Sequence, residues 1–216
     1  MTEISLDSMA SPEGLIQHIQ TKIGPIAKSY GELVSDDLTI GIHHIRSTIF
    51  RRYEIVVTSG MSAKPMTVPE DSKGSRYAEI LAILPKGWRL SPESLGDEKA
   101  YWPIRLLKSL ARFPHHNNTW LGFGHTMANG SSEQDTKAYA PDTDLCAVIL
   151  LPSMTLGEAA WSYKRKSGDS VFLWCAVPLY MSELKFKMTN GADALMDAFD
   201  RAGVNDRIDP RRRSAV

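Results

Sequence analysis

The residues best able to do chemistry are the six histidines, one serine after a strand and one glutamate inside an apolar run. His43-His44, and His115-His116 with His125, hint at a zinc site. Adjacent histidines in a strand point to opposite faces, so at most one of each pair could serve a common site. The second set lacks the i, i+4 pairing of a helical zinc motif and has no thiolate partner. The expectation is polar turn residues plus one hydrogen-bonded histidine, His125, at a strand end, with no metal. Ser59 follows the strand expected over YEIVVT, as a nucleophile would. The G-x-S-x-G pattern is missing and a loop follows rather than a helix, so a turn in which Gly60 takes unusual backbone angles is expected. Gly122-Phe123-Gly124 lacks the strand-to-helix setting of a phosphate cradle. Glu79 lies within RYAEILAIL. A carboxylate buried there must find a partner, and Arg105, Arg112 or a cluster of backbone amides are the candidates. A structural pairing is the expected role. No cofactor is implied.

A second kind of signal concerns surfaces. Met61, Met66 and Met127 fall in polar loops, where exposed methionines make adaptable contacts with proteins. The stretch from Asn129 to Asp144 carries Glu133, Asp135, Asp142 and Asp144 against one base, Lys137, and could steer a basic partner. Met61, Met66, Met127, Glu133 and Asp135 are therefore the expected partner-contact residues. Arg51-Arg52 and Arg211 to Arg213 read as solvated charge. Cys146 and Cys175 sit in apolar runs and read as buried thiols in a reducing compartment.

These residues must be held by elements that the pattern predicts. Ser11, Pro12 and Glu13 can open a helix whose apolar positions run from Leu15 to Tyr30, interrupted at Gly24-Pro25 and ended at Gly31. Leu38 to Ile42 alternates as a half-buried strand, and YEIVVT from Tyr53 is a second. A long loop follows, over residues 59–74. Arg76 to Leu84 and the runs LCAVILL and VFLWCAV are apolar on both faces, as in central strands covered on two sides. The stretch from Tyr101 reads as a helix with Pro103 in its first turn, Arg105, Lys108, Ser109 and Arg112 on its exposed face and Ile104, Leu106, Leu107, Leu110 and Ala111 opposite; Pro114 stops it. Thr119 to His125 reads as a strand with a bulge at its glycines. Trp161 to Lys164 is a short edge strand. A short helix over 182–187 precedes a last helix from Asn190 to near Gly203, and the tail IDPRRRSAV is loosely held. Strands and helices come in runs, which predicts an α+β fold with a mixed central sheet flanked by helices.

Composition narrows the function. The chain is 43% hydrophobic and 23% charged, as in ordinary globular proteins, and its formal net charge is +0. A dedicated nucleic-acid binder would be strongly basic. The first residues lack the basic and apolar regions of a signal peptide, and the longest apolar run is too short to span a bilayer. The expectation is a cytoplasmic protein with neither nucleic-acid nor membrane partners.

Several stretches together resemble the suppressor of fused domain family in its bacterial, single-domain form. They are YEIVVTSGMSAKPM, RYAEILAILPKGW, YWPIRLLKSLARFPHHNNTWLGFGHT, VPLYMSELKFKMTNGADALMDAF and the tail IDPRRRSAV. The resemblance runs over roughly residues 38 to 214, and the expected organisation is an N-terminal helical segment over 1–37 packed on a suppressor of fused-like domain over 38–216, one globular unit. Animal members hold a transcription factor of Hedgehog signalling between this domain and a second one. The chain ends where that second domain would begin, so that role is not carried over. Bacterial relatives implied by the resemblance include immunity proteins that bind and neutralise toxins. Two readings stay open: a non-enzymatic protein-binding domain of the immunity or antitoxin type with a cognate toxin as partner, and an enzyme of unassigned type using His125, Glu79 or Ser59.

Overall fold

The computed structural model describes residues 2–3, 14–31, 38–70 and 74–216. Its centre is a nine-stranded mixed sheet. The strands are β1 (Thr2–Glu3), β2 (Lys28–Gly31), β3 (Gly41–Ile45), β4 (Tyr53–Ser59), β5 (Tyr77–Pro85), β6 (Thr126–Ala128), β7 (Ala147–Leu151), β8 (Ser162–Lys164) and β9 (Ser170–Leu179). Their order is β1-β2-β3-β4-β5-β9-β7-β6. Among the described strands only β5 and β9 pair in parallel, with Leu81 opposite Cys175. β8 and then β7 pair in succession along the other edge of β9.

The central strands are buried on both faces, which is why their sequences are continuous apolar runs. Alternation then sorts the side chains. Val56, Ile80, Ala82, Leu84, Trp174 and Ala176 face a core covered by α2 (Glu98–His116), through Trp102, Leu107 and Leu110. Ile55, Val57, Leu81, Ile83, Leu173, Cys175 and Val177 face the opposite core. That core is closed by α1 (Leu15–His18, continuing as a π-helical turn over Ile19–Ile23) and by α3 (Met181–Ala202), through Leu15, Ile19, Leu195 and Phe199.

Several expectations are corrected. The N-terminal helix ends at Ile23, and Tyr30 lies in β2, because Gly24 (φ 148) and Pro25 cannot continue it. The expected Ser11 cap lies outside the described residues. α2 starts at Glu98, where Asp97 accepts from the Lys99 N–H at 3.0 Å. It runs through both prolines, because the packing of its apolar face outweighs the lost donors and ring clashes. Asn117 closes it, its side chain donating to the Phe113 carbonyl at 2.9 Å. Lys108, expected on the exposed face, is buried. The expected strand over 119–125 reduces to Thr126–Ala128. Pairing with β7 starts at the Gly124 N–H to Leu150 carbonyl bond, but Gly124 at φ +72 breaks the ladder. The two C-terminal helices merge into α3 across a kink at Gly191.

The tail is not loose. Arg212 forms two hydrogen bonds with the fully buried Glu183, at 2.5 and 2.6 Å. Glu183 also accepts from the Tyr180 and Ala215 N–H groups, each at 2.9 Å, so one carboxylate caps α3 and clamps the C-terminus. Planar, bidentate guanidinium pairing suits Arg to this role.

Candidate functional site: a neutral aromatic cleft

The candidate catalytic groups are spent on architecture. Beyond Val57–Leu81, β4 leaves β5. Thr58 fills the gap: its hydroxyl accepts from the Ile80 N–H at 2.8 Å and donates to Glu79 Oε2 at 2.6 Å. Glu79 Oε1 accepts from the Gly60 N–H at 3.1 Å, the Ser62 N–H at 2.9 Å and the Ser62 hydroxyl at 2.6 Å. Of the candidate partners, the amide cluster is the one found, joined by two hydroxyls. Burial pushes the Glu79 carboxyl above its ordinary range, and the four donors counter part of that. Gly60 (φ 106) takes the expected unusual angles, and its backbone passes so close to the Thr39 carbonyl that a Cβ would lie 2.1 Å from that oxygen. Ser59 is buried.

The histidines do not converge, and no group of three potential metal ligands occurs among the described residues. His43 and His44 point to opposite sides, as alternation requires. His43 Nδ1 shares a hydrogen bond with the Ser29 hydroxyl at 2.9 Å, and burial pushes its pKa down to about 4. His44 Nε2 meets Glu54 at 2.9 Å. His115 Nε2 holds the Met61 carbonyl at 2.8 Å. His125 packs edge-on to Trp120, ring centroids 4.3 Å apart. Both cysteines are buried free thiols.

The five expected contact residues separate. Met61 and Met66 are buried in the α2-side core rather than presented at the surface, because the loop that carries them folds their side chains inward. Met127 is half-buried against that same core. Glu133 and Asp135 are exposed. Asp135 accepts from the Ser131 and Ser132 hydroxyls, and Glu133 pairs with Lys185 of α3 at 2.5 Å. Glu133 borders a groove of about 480 Å³ with Met181, Leu184 and Met188.

The surface that sequence reasoning missed is an aromatic cleft of about 280 Å³ near the start of β5 and β9. Trp120, Phe123, Phe172 and Trp174 line it, with Gly74, Ser75 and Gly122. None of these side chains is charged. Phe172 and Trp174 stack at 5.2 Å, and Phe123 is 47% exposed. Trp120 lies between two glycines: a Cβ on Gly74 would come within 2.5 Å of its ring, and one on Gly122 within 2.7 Å. The indole is thus fixed where a larger neighbour would displace it. A signal was present in the sequence, Trp120 and Phe123 spaced by glycine in a loop. What joins them to Phe172 and Trp174 is pairing over long separation. Fixed aromatic rings in a concave setting, here with no charged lining side chain among the described residues, are the usual composition of a binding hot spot. They can bury apolar or aromatic side chains of a ligand.

Comparison with known proteins agrees with this architecture. A suppressor of fused homologue from Neisseria gonorrhoeae superposes with a TM-score of 0.64 at 17% identity, covering 93% of each chain. The Sufu protein of the Sufu–Fu complex gives 0.61 at 14% identity, over 92% of this chain and 88% of that one. Drosophila Suppressor of Fused gives 0.64 at 14% identity; 98% of this chain covers 54% of the fly protein, about half its length. No curated protein matches significantly by sequence. The family model for Suppressor of fused protein (SUFU) matches residues 36–213, so the chain belongs to the suppressor of fused family.

Proposed function

We propose that this chain is a non-enzymatic, cytoplasmic protein-binding domain of the immunity or antitoxin type, which neutralises a cognate toxin by stoichiometric binding. The observation that carries the reading is the aromatic cleft, where Trp120 is locked between Gly74 and Gly122 beside the exposed Phe123. One structural relative is the Sufu–Fu complex, so a domain of this fold engages another protein there. Of the three groups the enzyme reading would use, His125, Glu79 and Ser59, the last two are buried, and Glu79 is hydrogen-bonded within the fold. Of the expected contact residues, Glu133 and Asp135 stand exposed to add acidic contacts, Met127 contributes at most an edge, and Met61 and Met66 act only as support from below.

The test is co-expression with the product of the adjacent reading frame. The expected result is a one-to-one complex and rescue of growth from that product's toxicity. Trp120→Ala should weaken the complex by about tenfold or more, as truncating a hot-spot aromatic does. A stable, folded Trp120→Ala protein that binds and protects as well as wild type would overturn the cleft as the site. Turnover of a substrate by the isolated chain, abolished by His125→Ala without unfolding, would favour an enzyme instead.

A further inference from the structure

At the other end of β5 from the cleft, the hairpin between β3 and β4 carries the two most exposed large apolar side chains of the described residues: Ile49, 82% exposed, and Phe50, 93% exposed. The turn that presents them is tightly closed. The Thr48 N–H donates to the Arg51 carbonyl at 2.8 Å, and the Arg51 N–H to the Thr48 hydroxyl at 2.9 Å. The Arg51 guanidinium is used as a brace, donating to the Ile23 carbonyl at 2.5 Å and the Arg46 carbonyl at 2.8 Å. Two large apolar groups are therefore held out in water on a closed turn, and no described residue covers them.

The charge around the finger is one-sided. Residues 45–53 contain three arginines and no carboxylate. Arg46 and Arg52 are exposed beside Ile49 and Phe50. Three further exposed cations come from separate segments. The Arg51 brace brings Lys22 of the π-helical turn alongside. The pairing of Tyr53 with Pro85 brings the turn that holds Lys86. Arg207 lies over the Tyr53 ring, 4.7 Å from its centroid. Among the described residues, the neighbouring carboxylates already accept hydrogen bonds within the fold. Glu54 is bonded to His44 and Ser47, and Asp206 to Ser153 and Thr155. Asp209, the exposed acid nearest in sequence to Arg207, accepts from the Arg211 N–H. In a chain of formal net charge +0, five exposed cations thus gather around one apolar finger.

We propose that this end docks on an anionic phospholipid surface, Ile49 and Phe50 entering the headgroup–acyl boundary while Lys22, Arg46, Arg52, Lys86 and Arg207 meet the headgroup charge. Even a single acyl chain gives only marginal, reversible membrane binding, and stable attachment takes a second signal such as a polybasic patch. Clusters of about 4–8 Lys/Arg are the usual size of that signal. The cations here come from four chain segments around a protruding tip, which suits an extended charged plane. A protein partner would need an apolar pocket for the finger together with acidic groups spread around it.

The test is co-sedimentation of the full chain with phosphatidylcholine vesicles, with and without one quarter phosphatidylserine. The expected result is binding only when phosphatidylserine is present, weakened by salt. Replacing both Ile49→Ser and Phe50→Ser should reduce binding at least about tenfold. Arg46→Glu with Arg52→Glu should reduce it at least about fivefold per residue. Both pairs lie on the surface, and their thermal melts should match wild type. Absence of vesicle binding, equal binding to neutral vesicles, or full binding by the folded Ile49→Ser/Phe50→Ser protein would overturn the proposal. So would a tip whose replacement leaves vesicle binding intact but abolishes self-association, or abolishes the complex with the adjacent-frame product. The last outcome would also place that complex at the tip rather than at the cleft.

Discussion

Replacing Glu79 by alanine should destabilise the protein by several kcal/mol without touching any exposed surface. The Glu79 carboxylate is fully buried and takes hydrogen bonds from two amides, Gly60 and Ser62, and two hydroxyls, Thr58 and Ser62. The hydroxyls can rotate toward other acceptors; the amides are fixed by the backbone. Each buried donor left unpaired costs about 1–3 kcal/mol, so two amides give about 2–6 kcal/mol. That is a large share of the roughly 5–15 kcal/mol that holds a domain together. The pH dependence has a definite sign. Burial raises the folded pKa above the ordinary 4.5, so the contribution of Glu79 is full below 4.5 and falls as pH rises through the folded value. The gap between wild type and Glu79→Ala should therefore be widest in acid and narrow as pH rises. Urea unfolding of both proteins across that range measures it. A loss under about 1 kcal/mol at every pH would refute the reasoning from unpaired amides. A gap that widens with pH would refute the dominance of burial over the four donors.

Two further outcomes rest on the same logic. Burial lowers the His43 pKa from 6.5 to about 4, so wild type should lose about 3 kcal/mol as pH falls from 6.5 to 4, and His43→Gln should lack that slope in acid unfolding curves. Arg212→Ala leaves Glu183 charged and buried without its guanidinium, which should cost about 3–5 kcal/mol and release the C-terminal residues to amide hydrogen exchange.

The central strands were legible because a strand covered on both faces has no polar alternation to confuse it: RYAEILAIL, LCAVILL and VFLWCAV all fall in the sheet. α2 was legible from its apolar face. Its ends were not, because proline in a helix costs one hydrogen bond, and the packing of Trp102, Leu107 and Leu110 outweighs that. The turn at Gly60 was foreseen; that it delivers two amides to Glu79 was not. The loop methionines were misjudged, since composition says where a loop lies and not which way its side chains turn. The tail was misjudged for a related reason. Its three arginines look alike in sequence, and only Arg212 meets a buried carboxylate, from a helix that starts 31 residues earlier, at Met181.

The sequence by itself determined the fold class, the positions of most core strands and the family, because each follows from local periodicity or from strings of neighbouring residues. The sites were decided only in three dimensions. Trp120 and Phe123 join Phe172 and Trp174 through strand order, and Lys22, Lys86 and Arg207 reach the Ile49–Phe50 tip from distant segments. Neighbours along the chain share propensity, but neighbours across a sheet share only the register that core packing imposes. A binding surface assembled from such neighbours leaves no spacing in the sequence to be read.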